Sequence, residues 1–397
     1  MKMNEIITQV DSERIYQHIL KLEGPKHPID TPEKLNEAAD YILEKFEQYG
    51  LQVREQEFKV EGFDATFRNV EGWIGEENGS QLLLVSHYDT VAKSPGANDN
   101  LSGVAVMLEA ACILAREKNV GNVHFISFSL EEGNPAYESN IRGIARDLGL
   151  RDEQNRHLSL HTSELLKKHI DIWQKAITQV TFYKEAYLQT IEQLKSQMTE
   201  NELEYFKELN RIYGDYTKTT WVGQTALMGS NAWVKEAAQA KKSIRGVLCL
   251  ETMGYTSNKK YSQAFPEGLD ITAFKSYKVD EEQLIGNFIT LVADENSSEL
   301  IQSFCAQCEQ ESIDLPYLCL QVPLQFDQIG QVMPDLLRSD HAPFWRESIP
   351  GIMLTDTANF RYPYYHTPAD TIDKLDFSIL KKICQAAIGT IIDLAEK

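Results

Sequence analysis

Three short apolar runs of the sequence, each with the length of a buried strand, are followed by side chains that bind metals. Those side chains are His87, the adjacent pair Glu131 and Glu132, and Glu251. In open α/β sheets, ligands bind outside the carboxyl ends of the strands. Imidazole nitrogens and carboxylate oxygens are ligands that suit zinc. The pattern therefore predicts a metal site at one edge of a sheet.

Two further candidate residues lie in turns. Asp99 follows His87 by 12 residues and precedes a predicted helix, where its carboxylate could bridge two ions. A turn that caps the helix would explain the same residue. His366 follows Tyr364 and Tyr365, and either hydroxyl could donate a hydrogen bond to an oxyanion. A packed histidine among tyrosines is the alternative explanation.

Each strand-end residue also has a simpler explanation when it is taken alone. His87 could lie beside a surface turn, although the carboxylate of Asp89, two residues later, could orient its imidazole. Glu251 could be a solvated loop residue, and so could Glu131 and Glu132. Two adjacent carboxylates at the end of a buried strand, however, need a compensating positive charge. A metal would supply that charge, and one of the pair could then act as a general base.

Taken together, the candidates include two histidines and several carboxylates, one of which could be shared. A carboxylate shared between two ions is typical of two-metal hydrolases. The combination favours a metal site over the separate simpler explanations.

The elements that must position these residues alternate between strands and helices. The predicted buried strands are Leu82–Val85, Val123–Leu130, Gly246–Leu250 and Gly351–Thr355. Helical patterns follow, including Leu101–Lys118 and Ala232–Lys241, and an earlier capped helix runs from Pro32 to Gly50 before a strand pattern at Leu51–Val60. This order predicts an α/β fold with a mixed, mainly parallel sheet flanked by helices.

One segment of the chain differs from this alternation. The stretch Leu150–Tyr213 contains neither Gly nor Pro, and its apolar residues recur at helical spacing. Thr199 and Glu202 fit a capping box, which predicts that a second helix begins there and continues to Gly214. We therefore expect a helical hairpin set into the α/β chain.

Composition excludes several classes of protein. The 397 residues carry 59 acidic and 39 basic side chains, a formal charge of −20, which argues against binding to nucleic acid or to anionic membranes. No apolar run approaches the about 18 residues of a membrane span. Six cysteines are too few for a disulfide framework, and the N-terminus has no apolar block typical of a secretory signal. We expect a cytoplasmic protein.

Six sequence blocks together resemble a known family. The blocks HYDT, PGANDNLSGVA, SLEEGN, LETMGY, SDHAPF with IPGIML, and YYHTPADTIDKLD occur in the order seen in the zinc aminopeptidases of metallopeptidase family twenty-eight. That family also contains glutamate carboxypeptidase and glutaminyl cyclase. The resemblance implies one zinc-exopeptidase catalytic domain over residues 1–397.

The resemblance also implies roles for individual residues. It makes Glu131 the general base, and it makes Asp99 a bridge between two zinc ions, with His87 and Glu251 on the first ion and Glu132 and His366 on the second. Glu251 stands where many members have Asp, and its side chain is one methylene longer. It makes Asp89, Asp340 and His341 supporting residues near the site. It makes Tyr365 or Tyr364 the residue that stabilises the oxyanion.

The activity implied is that of a di-zinc exopeptidase, most simply an aminopeptidase that removes the N-terminal residue of short peptides through a metal-bridging water. Two alternatives stay open: a glutaminyl-cyclase-type aminoacyltransferase with one zinc, and a carboxypeptidase or dipeptidase of the same family. A third, a binding protein on a retired catalytic core, fits less well because the ligands and the base are all present.

The family usually places a Gly-Ser pair soon after its two glutamates. Here that pair is Gly229-Ser230, which lies 97 positions after Glu132. The helical segment lies in this gap, which predicts an insertion over residues 138–225. We expect it to leave and re-enter the core near the metal site, and to act as a lid or as a contact between subunits of a homo-oligomer.

Two weaker patterns have structural explanations. Cys305 and Cys308 match C-x-x-C, but no second pair accompanies them, which favours a plain helix face. Arg361 could meet a substrate carboxylate, although a structural ion pair is the simpler expectation.

Overall fold

The computed structural model describes residues 3–76, 79–117, 120–266 and 268–396. Its strands are β1 Gln52–Lys59, β2 Thr66–Ile74, β3 Gln81–His87, β4 Asn122–Phe128, β5 Ile244–Leu250, β6 Lys275–Tyr277, β7 Ile289–Ala293, β8 Tyr317–Gln321 and β9 Gly351–Thr355. They form one sheet in the order β1-β2-β4-β3-β5-β9-β7-β8-β6.

The centre of this sheet is parallel. Strands β4, β3, β5 and β9 run in the same direction, so their carboxyl ends lie along one edge. Antiparallel pairings of β1 with β2, β2 with β4, β7 with β9 and β6 with β8 complete the sheet, and β7 pairs with β8 in parallel. The predicted α/β fold with a mixed sheet is confirmed, and its parallel core coincides with the predicted buried runs.

The helices in the described residues are α1 Met3–Ile7, α2 Ser12–Leu22, α3 Pro32–Tyr49, α4 Leu101–Leu114, α5 Pro135–Asp147, α6 Leu160–Ile177, α7 Tyr183–Leu194, α8 Glu200–Tyr213, α9 Met228–Gln239, α10 Ser298–Cys308, α11 Phe326–Val332, α12 Ala342–Arg346 and α13 Phe377–Ala395. No helix in this part of the chain is long and apolar enough to cross a membrane.

Helices cover both faces of the sheet. Every residue of β3 is buried, and successive side chains of a strand point to opposite faces. Leu82 and Leu84 pack in the core formed with α2, α3, α4, α10 and α13, whereas Leu83 and Val85 pack with α9 and α12 on the other face. All residues of α4 are buried too, which explains why this helix is apolar all round.

Local sequence signals fix several element ends. Pro32 begins α3, and Gly50 follows its end with φ 82°, a left-handed conformation that glycine adopts without steric cost. The strand pattern at Leu51–Val60 becomes β1. Helix α4 ends at Leu114, earlier than its predicted end, and Lys118 itself lies outside the described residues.

The segment between β4 and α9 folds as four helices rather than as a hairpin of two. Its first predicted helix is interrupted between Ile177 and Tyr183, because the chain turns there and continues as α7. The capping box at Thr199 and Glu202 is present, and α8 begins after it as predicted. The helices bury apolar side chains of their own, in two small cores centred on Tyr205 and Phe206.

The two ends of this helical segment meet just beyond the carboxyl end of β4. Asn134 donates its backbone N–H to Thr225 O at 2.8 Å, which closes the segment on itself. The returning chain then donates from Leu227 N to Glu131 O and from Met228 N to Leu130 O, both at 2.9 Å. The segment therefore leaves and re-enters beside the glutamate pair.

The C-x-x-C pair is part of a helix. Cys305 and Cys308 are both buried on α10, in the core on that face of the sheet. Each of the six cysteines is unpaired and buried in the described chain.

A glycine at the start of α9 lets that helix approach the end of β4 closely. A Cβ atom on Gly229 would lie 2.2 Å from Ser129 O and 2.6 Å from Asn69 Oδ1. We expect Gly229→Ala to lower the free energy of unfolding by about 1–3 kcal/mol through overpacking. Urea unfolding followed by circular dichroism measures the change.

The matched control is Gly143→Ala in α5. A Cβ atom there meets nothing within 4 Å, and alanine is the better helix former. This variant should be neutral or more stable by about 0.5–1 kcal/mol. Equal loss of stability in both variants would contradict the close approach at Gly229.

Candidate metal centre

The six predicted ligand and base residues converge at the carboxyl edge of three neighbouring parallel strands. His87 ends β3, Glu131 and Glu132 follow β4, and Glu251 follows β5. Asp99 arrives from the turn before α4, and His366 from the loop after β9. The described residues include two groups that could hold an ion, which are His87 with Glu131 and Glu251, and Asp99 with Glu132 and His366.

Asp99 lies between the two histidines. Its Oδ1 is 3.3 Å from His87 Nε2, and its Oδ2 is 3.1 Å from His366 Nε2. Glu251 Oε2 is 3.4 Å from His87 Nε2, and Glu132 Oε2 is 3.1 Å from His366 Nε2. Ligand atoms about 2.0–2.1 Å from a tetrahedral zinc are separated from one another by about 3.3 Å. The observed spacings therefore fit two adjacent zinc ions.

Unused polar atoms support the same fit. Several buried side-chain atoms have no partner with hydrogen-bond geometry among the described residues, and three of them, His87 Nε2, Asp99 Oδ2 and Glu132 Oε1, lie at this centre. Leaving such atoms unsatisfied is costly in a folded protein. All three belong to the candidate ligand set, and coordination of a cation would satisfy them.

Glu131 lies slightly farther from His87 than the candidate ligand carboxylates do. Its Oε2 is 3.9 Å from His87 Nε2, farther than the oxygens of Asp99 and Glu251. Burial raises the pKa of Glu131 well above its ordinary value, and the neighbouring Glu251 and Glu132 raise it further against the opposing effect of His87. A carboxylate beside the ligands but farther from them fits a proton acceptor better than a ligand.

The backbone of the glutamate pair is held by Asp89. Its Oδ1 accepts the N–H of Glu131 at 3.1 Å, and its Oδ2 accepts the N–H of Glu132 at 3.2 Å. The same carboxylate lies 3.5 Å from Nδ1 of His87. Asp89 thus links the ends of β3 and β4 and orients three of the candidate functional residues.

The turn that carries Asp99 depends on a residue that the sequence reasoning did not single out. Asp370 accepts the N–H of Asn98 at 2.8 Å and the N–H of Asp99 at 3.2 Å. It also accepts the hydroxyl of Tyr362 at 2.7 Å. Asp370 belongs to the block YYHTPADT, but its partners are distant in sequence, so spacing alone gave no signal for this role.

Glu251 reaches the site despite its extra methylene. Its Oε1 accepts the hydroxyl of Thr252 at 2.7 Å, and its Oε2 accepts the hydroxyl of Ser339 at 2.8 Å. Ser339 is a second residue that sequence reasoning missed. Its neighbour Asp340 is fully buried near Ser230 and Glu251, and burial raises the pKa of Asp340 to about 7.

His341 faces away from the ligands. Its Nε2 lies 2.7 Å from Leu336 O, and its ring packs edge-on against Trp345. Burial lowers the pKa of His341 to about 4, so this imidazole is neutral. It supports the loop and is not part of the ligand set.

The backbone beside the site adopts left-handed conformations at residues other than glycine. Leu130 has φ 58°, Thr252 has φ 45° and His366 has φ 57°. Such conformations are costly for residues with a Cβ atom and persist where surrounding contacts fix them. At Thr252 these contacts include the N–H donated to Asn100 and the carbonyl that accepts from Asp356.

Of the two tyrosines before His366, Tyr365 is the one beside the site. Its ring stacks on His366 at 3.8 Å between centroids, and it interacts electrostatically with Asp99, Glu132 and Glu131. Burial and the charge of Asp99 raise the pKa of Tyr365 well above its ordinary value, so its hydroxyl stays protonated. Tyr364 instead lies under the ammonium of Lys374.

The site favours positive charge at its centre. Burial alone would lower the pKa of His366, but Glu132 and Asp99 raise it to about 10. In the same way, Glu131 and Glu251 overcome burial and raise the pKa of His87 well above its ordinary value. A bound cation would supply this charge and would compete with protons for the two imidazoles.

Arg361 is structural. Its Nε donates to Gln263 Oε1 at 2.6 Å, and its Nη1 donates to Phe288 O at 2.5 Å. The guanidinium also lies over the Phe288 ring. The side chain is buried among these neutral partners, so its role is structural as expected, but hydrogen bonds to neutral groups take the place of the expected ion pair in the described residues.

Comparison with known proteins identifies the class to which this fold and site belong. The model of Peptidase family M28 matches residues 69–182 and 224–391, and the chain belongs to that family. Membership supports a hydrolase of peptide bonds. The intervening residues 183–223 contain α7 and α8.

Along almost its whole length, the chain is similar to the uncharacterized protein YfbL of Escherichia coli (strain K12). The two are 23% identical over 389 residues, which cover 96% of this chain and 86% of YfbL.

Solved structures share the fold at low sequence identity. The LapA aminopeptidase of Legionella pneumophila aligns over 100% of this chain and 75% of its own, with 15% identity and a TM-score of 0.58. The glutaminyl cyclase of Porphyromonas gingivalis aligns over 97% and 99%, with 15% identity and a TM-score of 0.53. A Zn-dependent exopeptidase of Parabacteroides distasonis aligns over 97% and 98%, with 14% identity and a TM-score of 0.54.

The shared position of Asp99 predicts a specific pattern of metal loss. Asp99→Ala should lose both ions, because Oδ1 of Asp99 lies 3.3 Å from His87 Nε2 and its Oδ2 lies 3.1 Å from His366 Nε2, so each ion would use one of its oxygens. Glu251→Ala should weaken mainly the ion at His87, and Glu251→Asp should retain both. Elemental analysis after dialysis against metal-free buffer measures the zinc content of each variant.

The control for this series is Asp171→Ala on an exposed face of α6, which should keep the wild-type zinc content. If both Asp99→Ala and Glu251→Ala retain two tightly held ions, neither residue is a ligand.

Proposed function

We propose that this protein is a di-zinc aminopeptidase that removes the N-terminal residue of short peptides. The observation that carries the proposal is the position of Asp99 between His87 and His366, each of which has a further carboxylate at 3.1–3.4 Å. Zinc is proposed because the donors are imidazole nitrogens and carboxylate oxygens at spacings that suit it.

The two complete ligand groups favour this function over the one-zinc alternative. A glutaminyl-cyclase-type aminoacyltransferase would need only one of the groups. The similarity in fold to a cyclase does not separate the two functions, because fold by itself does not determine activity. The pairing of His87 with Glu251 beside Asp99 supports the two-zinc function.

In the proposed reaction, Glu131 moves the proton. When bound, the zinc ions lower the pKa of a water toward about 7 and polarise the scissile carbonyl. Glu131 accepts the proton of the attacking water at its carboxylate and then passes it to the nitrogen of the leaving amine. Asp89 fixes the backbone N–H groups of both Glu131 and Glu132, so the base keeps its position between these steps.

The oxyanion and the substrate amine have separate partners. The hydroxyl of Tyr365 stays protonated and can donate a hydrogen bond to the developing oxyanion. The carboxylates around His366 attract a cationic N-terminus, which favours peptides with a free α-amine over acetylated ones. A reduced compartment such as the cytoplasm is the proposed location, and the six unpaired cysteines support it.

The role of Glu131 is tested by Glu131→Gln. The amide is isosteric but cannot accept the proton, so we expect kcat to fall by about 10²–10⁴-fold while zinc content is unchanged. Turnover of leucine p-nitroanilide and elemental analysis provide the two measurements.

A matched Glu→Gln control is available at Glu153, whose exposed side chain pairs with Arg146. Glu153→Gln should retain wild-type kcat. A Glu131→Gln enzyme that holds full metal and keeps half of the wild-type kcat would show that Glu131 is not the base.

We also propose that the helical segment over residues 138–225 forms a contact between subunits and restricts access to the metals. Among the described residues, eight large apolar side chains are exposed, and five of them lie in this segment: Leu158, Leu160, Ile170, Phe182 and Leu188. A second copy of the same surface could cover them reciprocally. The segment also begins and ends beside Glu131, where it can narrow the entrance.

The subunit contact is tested by the double variant Leu158→Ser/Leu160→Ser. These side chains are 61% and 76% exposed, so the changes should not disturb folding. We expect light scattering to show a smaller mass in solution than that of the wild type. Val332→Ser is the control outside the segment, at 64% exposure, and should leave the mass unchanged.

The restriction of access is examined with a shortened chain. Replacing about residues 150–213 by a Gly/Ser linker should raise the turnover of longer peptides relative to dipeptides. An unchanged mass in the Leu158/Leu160 variant would exclude the contact, and an unchanged length preference in the shortened chain would exclude the restriction.

A further inference from the structure

A cation lies beside the catalytic groups of this otherwise acidic site. The side chain of Arg338 is 41% exposed, and the next residue in the chain, Ser339, donates its hydroxyl to Glu251 Oε2 at 2.8 Å, which places this segment beside the site. The guanidinium interacts with the Tyr365 hydroxyl and lies in the field of Glu131. Burial alone would lower the pKa of Arg338, but Tyr365 and Asp335 raise it, so the charge is retained.

Neighbouring residues orient the guanidinium but do not occupy all of its N–H donors. Nη1 donates to Asn359 Oδ1 at 3.1 Å, and Asp335 Oδ1 lies 3.5 Å from the same nitrogen. These two contacts are made through Nη1, and the Tyr365 hydroxyl is a further partner, whereas a guanidinium has five N–H donors in a planar fork. The fork can therefore accept a further anionic partner from the cleft, and carboxylate is the group that it matches bidentately.

The position of Arg338 also indicates which side of the substrate it meets. In the proposed reaction Glu131 passes its proton to the leaving amine, so a cation that interacts with Glu131 and Tyr365 is available to an anionic group on the leaving part of the substrate. A cationic substrate N-terminus would be repelled by Arg338 and attracted by the carboxylates near His366. A peptide carboxylate, in turn, is stabilised where a guanidinium receives it.

We propose that Arg338 binds a carboxylate of the substrate just beyond the scissile bond and makes this protein selective for di- and tripeptides with a free C-terminus. This inference rests on the proposed aminopeptidase function. Each further residue moves a C-terminal carboxylate by about 3.3–3.6 Å, so the contact is lost as the peptide lengthens. An acidic side chain on the second residue would offer the same chemistry, and the experiment separates the two sources.

The first measurement is binding, and it does not depend on turnover. Zinc-loaded Glu131→Gln protein is titrated by calorimetry with Leu-Ala, Leu-Ala-amide, Leu-Asp-amide and Leu-Asn-amide. We expect Leu-Ala to bind about 10–100-fold more tightly than its amide, as is typical of a charge-assisted hydrogen bond. Adding Arg338→Gln should abolish that difference, and Arg338→Lys should restore part of it.

The second measurement is kinetic and uses Arg338→Gln with Glu131 intact. The kcat/KM for Leu-Ala should fall about 10–100-fold, mainly through KM, while that for leucine p-nitroanilide, which has no carboxylate, should change little. Arg116→Gln is the matched control, since this exposed arginine lies beyond the end of α4 that is opposite Asp99.

The outcomes separate this inference from the proposed function. Equal affinity for Leu-Ala and its amide, or a difference that persists in Arg338→Gln, would overturn the C-terminal contact. A preference for Leu-Asp-amide over Leu-Asn-amide that requires Arg338, with none for Leu-Ala over its amide, would assign the contact to an acidic side chain and overturn the selectivity for free C-termini. No turnover of any peptide by the wild type would refute the aminopeptidase, while the binding comparison would still decide the role of Arg338.

Discussion

The carboxylate of Asp99 lies between two imidazoles, 3.3 Å from His87 Nε2 through Oδ1 and 3.1 Å from His366 Nε2 through Oδ2. This shared position determines what else the site must contain. Three acidic residues, the buried Glu131 and Glu251 and the partly buried Glu132, crowd around the same centre, and like charges so close together are unfavourable unless a cation compensates them. The raised pKa of His366, to about 10, reflects the same demand for positive charge. The proposed pair of metal ions would meet this demand.

Holding Asp99 in this position requires a second set of carboxylates that do not touch the proposed ions. Asp89 receives two backbone N–H groups from the glutamate pair, and Asp370 receives those of Asn98 and Asp99. These bonds join segments that are far apart in the chain. The left-handed backbone at Leu130 and Thr252 is maintained by the same dense network. The site is therefore rigid because hydrogen bonds from several elements determine each ligand's position.

The surroundings of this rigid centre distinguish the protein from a bare metallohydrolase core. The four-helix segment joins the core at the residues that carry the proposed base, since Leu227 donates to the carbonyl of Glu131. Arg338, which interacts with Tyr365, adds a positive charge that the acidic ligand set lacks. The core provides the catalytic groups. We expect the helical segment to select substrates by length and Arg338 to recognise the charge at the end of the substrate.

The sequence alone determined the α/β class, the parallel strands and the local signals, because these depend on neighbouring residues. Apolar runs of strand length predicted β3, β4, β5 and β9, and the capping box at Thr199 predicted the start of α8. The sequence also supplied the six site candidates. His87, Glu131 and Glu251 follow buried strands whose carboxyl ends must meet at one edge. The break between α6 and α7 was missed, because apolar spacing continues across it and only packing shows the turn. Tertiary structure alone decided the partners of Asp99, the roles of Asp370 and Ser339, and the place of Arg338 beside Tyr365 and Glu131. Those contacts join residues distant along the chain, and the distances and charges that define them exist only once the chain has folded.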